Sequence, residues 1–120
     1  MKPKLDAFDQ EEFSDNMMGN EDLARGILRR FLDDLPTEIF RLAQAVSDGD
    51  AGQVRLTAHS IKGAAASVSG REIRDAASLL EQQGRDGDLA GAAGVLVQLS
   101  ASFERARPLM EGFCREDDLG

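Results

Sequence analysis

Apolar side chains in this chain recur at i, i+3, i+4 and i+7, the period of a helix buried along one side, and short turn signals interrupt the pattern repeatedly. Leu23, Ile27, Leu28, Phe31, Leu32 and Leu35 form one such stripe, and Ile39, Leu42, Ala43 and Val46 form the next. Val54, Ala58, Ile61, Ala65 and Val68 follow, then Ile73, Ala76, Ala77 and Leu80. A last series runs Leu89, Ala92, Leu96, Leu99, Phe103, Ala106, Met110 and Phe113. Strands find little support, because tyrosine and tryptophan are absent and β-branched residues are few. The chain reads as all-α.

The breaks have a chemistry of their own. Gly19-Asn20 ends a short first segment carrying Phe8, Phe13 and Met17 or Met18, and Asn20 is a good N-cap with Glu21 and Asp22 in the first turn behind it. Pro36 is expected to end the second helix and open a third. Ser47-Asp48-Gly49-Asp50 is a turn whose last residue can cap the central helix, expected over 51–68, and Ser69-Gly70 closes that helix. Gly84-Arg85-Asp86-Gly87-Asp88 reads as a further turn, without the strand or the Gly-Lys-Ser/Thr of a phosphate-cradling loop. The last helix, expected to be the longest element, contains Gly91 and Gly94, read as sites of close packing, and Pro108, read as a kink or an end. Short connections between the last four helices favour antiparallel neighbours. The expected fold is an antiparallel four-helix bundle with one or two short N-terminal helices packed at one end, a single domain over 1–120 with 1–6 and 115–120 flexible.

Charge and cysteine content exclude several functions. With 22 acidic and 14 basic residues the net charge is −8, which disfavours nucleic-acid phosphates and anionic membranes as partners. One cysteine, Cys114, cannot form an internal disulfide and fits a reducing compartment, so a cytoplasmic location is expected. No apolar run approaches a membrane span, and direct membrane contact is not expected.

The only histidine, His59, stands in Ala58-His59-Ser60-Ile61-Lys62-Gly63-Ala64-Ala65-Ala66. On a helix His59, Lys62 and Gly63 share one face, displaced from the core stripe. A helix-interior glycine costs about 1 kcal/mol relative to alanine, so leaving that spot bare implies a use for the space. A functional patch and a plain surface histidine both fit. A nucleophilic triad does not, since Ser60 points about 100° away from His59 along the helix. Nor does a metal centre: Leu56 stands three before the histidine, where a di-iron bundle has glutamate, and no cofactor is expected. The imidazole remains as a nucleophile in its own right, suited to phosphoryl transfer, with Lys62 supplying positive charge.

These residues resemble the histidine-containing phosphotransfer (HPt) domains of multistep bacterial phosphorelays, whose motif is His-x-x-Lys-Gly in an alanine-rich helix. The likeness extends from about Phe8 to Phe113, through Gly-Asn-Glu-Asp-Leu, the 31–36 junction, Asp48-Gly49-Asp50 and Leu80-Glu81. It implies that His59 takes a phosphoryl group from one receiver-domain aspartate and passes it to another, that Lys62 contacts the group, and that Gly63 admits the receiver. Glu81 is implied as a supporting residue, a surface salt bridge to Lys62 being an equal account. Ser67 stands where many members have asparagine. The resemblance further implies a monomer without ATP-dependent kinase activity, partnered by receivers of response regulators or of a hybrid sensor kinase, with magnesium on the receiver. Two other readings stay open: a helical docking domain in which His59 is only a contact residue, and the phosphotransfer portion of a chemotaxis-type histidine kinase.

Overall fold

Helix signals and apolar periodicity are realised together in the computed structural model, which describes residues 6–116. The chain runs through α1 (Gln10–Asn16), α2 (Glu21–Asp48), α3 (Ala51–Ser67), α4 (Arg71–Asp86) and α5 (Ala92–Glu116). Asn20 caps α2 by accepting the Leu23 N–H at 3.0 Å, and Asp50 caps α3 by accepting the Gln53 N–H at 3.1 Å. Gly49 and Gly87 end α2 and α4 in the left-handed conformation, with φ of 68° and 70°, which glycine adopts without a Cβ penalty.

Helices α2 to α5 form the antiparallel bundle, each packed on its successor, with α2 against α5 closing the ring. Every member of the central stripe, Val54, Ala58, Ile61, Ala65 and Val68, is buried, as are Leu28, Leu42, Ile73, Leu80, Leu99 and Met110 from the other helices. Helix α1 closes one end. Its Phe13 and the preceding Phe8 stack with Phe113 of α5 at centroid distances between 5.6 and 6.1 Å. Arg71, at the start of α4, holds Asp9 at 2.7 Å and Glu12 at 3.0 Å.

Several expectations need correction. Pro36 does not divide a helix: α2 runs through it for 28 residues and is longer than α5, which has 25. The proline costs about 3 kcal/mol in a helix interior, but Leu28, Phe31 and Leu35 before it and Leu42 and Ala45 after it are buried on one continuous face. At about 1.5–3 kcal/mol for each large side chain, keeping those residues in register outweighs the proline, whose own ring is exposed. Pro108 likewise lies within α5, at an exposed position. The expected 84–88 turn begins later, because α4 continues to Asp86.

The close-packing glycine is Gly84 rather than Gly91 or Gly94. A Cβ on Gly94 would meet nothing within 4 Å and one on Gly91 only the end of Gln83, whereas one on Gly84 would lie 2.6 Å from the Arg55 N and 2.7 Å from the Ala51 O. Backbone of α4 therefore rests on backbone of α3. Of the segments expected to be flexible, 1–5 and 117–120 lie outside the described residues; Asp6 has helical backbone, and Arg115 and Glu116 complete α5.

Candidate functional site

The contact between Gly84 and Arg55 sets the register of α3 against α4. In an antiparallel pair, one turn back along α4 lies opposite one turn forward along α3, which brings Glu81 to His59. His59 Nδ1 and Glu81 Oε2 are 2.9 Å apart, and Lys62 Nζ stands 2.5 Å from Glu81 Oε1. The structure thus brings three of the four expected site residues into one cluster. Gly63, the fourth, contributes open space beside it, since a Cβ there would meet nothing within 4 Å.

Exposure divides the cluster into an anchor and a working surface. The Glu81 side chain is only 6 % exposed, against 34 % for Lys62 and 67 % for His59. Glu81 is therefore a buried carboxylate and not a surface partner of the lysine. The hydrogen bond from Lys62 holds its carboxyl below the usual carboxylate range; burial opposes this, and the bond to His59 adds to it. An ionised carboxylate accepts hydrogen bonds and donates none, so the proton on the facing imidazole nitrogen belongs to His59 Nδ1. That assignment leaves Nε2 with its lone pair on the exposed edge of the ring.

Arg85 is the member that sequence reading missed. Its Nη2 lies 3.2 Å from Glu81 Oε2. Read as part of a turn, Arg85 had no defined neighbour; as a residue of α4 it follows Glu81 by one helical turn and shares its face. The periodicity of α4, extended past Gly84, was the available signal. Ser67 stays apart, its hydroxyl donating to the Ala64 carbonyl at 2.7 Å. Ser60 donates to Glu38 of α2 at 3.3 Å, away from the ring. Leu56, one turn before His59, is an exposed apolar side chain on the same flank, while Thr57 turns inward.

Among the described residues no group of three or more histidine, cysteine, aspartate or glutamate side chains gathers as a metal site, and no helix is long and apolar enough to cross a membrane.

Comparison with known proteins bears on the family and the fold. The family model described as the Hpt domain matches residues 26–108. The crystal structure of histidine-containing phosphotransfer protein B (HptB) from Pseudomonas aeruginosa PAO1 is similar at 26 % identity, over 91 % of this chain and 95 % of that one, with a TM-score of 0.85. The HPT domain of an Hpt sensor hybrid histidine kinase from Shewanella shares the fold at 15 % identity, over 93 % of this chain and 97 % of that one, with a TM-score of 0.82. No curated protein matches the chain.

Proposed function

The chain belongs to the Hpt domain family, whose members are His–Asp phosphorelay intermediates, and from that premise we propose that His59 is its phosphoacceptor. The observation that carries this reading is the bond from His59 Nδ1–H to buried Glu81, which holds the ring and directs Nε2 outward.

In the forward step the Nε2 lone pair attacks the phosphorus of a receiver's aspartyl phosphate. The Nε2–P bond forms as the P–O bond breaks, and the electron pair of that bond leaves with the aspartate carboxylate. With Nδ1–H retained, the phosphorylated ring carries a formal positive charge, which the Glu81 carboxylate faces directly. A ring kept in that form is a good leaving group, so the same contact supports onward transfer to a second receiver. Lys62 supplies positive charge to the transferred group. Arg55 and Lys62 flank His59 on its own face of α3, and this locally basic surface offsets the net charge of −8 where a phosphoryl group must approach. Gly63 leaves room for the receiver backbone, and Leu56 offers it an apolar contact.

Incubation of the chain with a phosphorylated receiver domain and magnesium tests the assignment. Acid-labile, base-stable phosphate is expected on the wild type and none on His59→Gln. Equal labelling of the two proteins would sink it.

A further inference from the structure

Two cations are held by the one buried carboxylate, and the transfer step gives a part to only one of them. Lys62 occupies Glu81 Oε1. Arg85 Nη2 occupies Oε2 at 3.2 Å, the same oxygen that takes His59 Nδ1–H at 2.9 Å, and Arg85 Nη1 donates to Gln82 Oε1 at 3.0 Å. Imidazole and guanidinium therefore share a single acceptor oxygen.

We propose that Arg85 is a positioning residue: by sharing Glu81 Oε2 it limits how strongly that carboxylate draws the His59 ring toward its charged form, and so preserves the Nε2 lone pair. The functional consequence rests on His59 being the phosphoacceptor; the effect on the ring does not.

The charged groups facing His59 define the balance. Helix α4 presents Glu81 and Arg85, and α3 itself presents Arg55 and Lys62. Helix α2 contributes Glu38, which is turned to the Ser60 hydroxyl and to Arg41. Glu81 is thus the anion in contact with the ring, and a carboxylate there favours imidazolium. Each cation bonded to that carboxylate opposes the effect, both by its own charge and by engaging the oxygen's lone pairs. When Lys62 turns toward a phosphoryl group, Arg85 is the cation that stays on Glu81. A purely structural role explains little, because the Arg85 side chain is itself 54 % exposed and the buried Glu81 carboxylate already holds Lys62 on its other oxygen.

Since His59 is the only histidine, its ring resonances can be followed by NMR without ambiguity. Titration of the full chain should place the His59 midpoint in Arg85→Ala above that of wild type, the direction expected when a cation bonded to the same carboxylate oxygen is removed. Arg85→Lys, which keeps a cation within reach of Oε2, should titrate with wild type. The acid limb of the rate of phosphoryl transfer from a receiver should move upward with the Arg85→Ala midpoint. An unchanged midpoint in Arg85→Ala would overturn the proposal. Label appearing on His59→Gln would instead overturn the phosphoacceptor reading and leave the titration result standing, so the two failures are distinguishable.

Discussion

Glu81 Oε2 lies 2.9 Å from His59 Nδ1, joining two helices at positions 22 residues apart in the chain. The carboxylate is buried and the imidazole exposed, so the contact is an anchor beneath a surface group.

Replacing Glu81 by Gln separates charge from shape. Loss of one charge-assisted hydrogen bond should slow phosphoryl transfer by about tenfold or more, measured against a phosphorylated receiver at pH 7. Stability should respond to pH as well. Because the folded-state pKa of Glu81 is depressed, its contribution is fully present above the unfolded value near 4.5 and is lost as pH falls through the lower folded value. The stability gap between wild type and Glu81→Gln should therefore narrow as pH falls below about 4.5. Urea unfolding in steps down to pH 3 reads this directly, and a gap that persists unchanged would contradict it.

Gly63 offers a gain in stability at the expense of function. Gly63→Ala should stabilise the fold by up to about 1 kcal/mol, since its Cβ meets nothing and alanine is the better helix former. Gly63→Leu should fold and yet obstruct the receiver. Wild-type transfer kinetics in the leucine variant would remove the case for access through this gap.

Gly84→Ala should do the opposite. The same propensity gain of about 1 kcal/mol is available, but the added Cβ would stand 2.6 Å from backbone of α3, and overpacking of that kind costs roughly 1–3 kcal/mol. Net destabilisation in urea is expected. Slower transfer should accompany it, because Glu81 and His59 lie one turn from the contact.

Pro36→Ala should raise stability. The substitution recovers most of about 3 kcal/mol of helix cost, offset by about 1 kcal/mol of added freedom in the unfolded chain. An increase of about 2 kcal/mol in the unfolding free energy is the expected reading, and a decrease would mean that Pro36 supports α2 in some other way.

Much of this protein was legible residue by residue. The caps at Asn20 and Asp50, the buried stripe from Val54 to Val68 and the shared face of His59, Lys62 and Gly63 all follow from helical spacing, a property of neighbours in the chain. Pro36 was misread because its local cost is real, while the burial that outweighs it depends on α3 and α5 lying alongside. Gly84 was misread as an ending for the same reason: the contact that requires glycine there comes from Arg55, almost thirty positions earlier. Arg85 followed it into the supposed turn.

By itself, then, the sequence determined which segments are helical, which face of each is apolar, and that one exposed histidine has a lysine and a bare position beside it. Only the tertiary structure decided that the lysine and the histidine are both tied to Glu81, that this carboxylate is buried, and that Arg85 shares it. The physical reason is that helical periodicity arises from interactions within four residues, whereas the register between α3 and α4 is set by how closely two backbones approach, and that is settled where Gly84 meets Arg55.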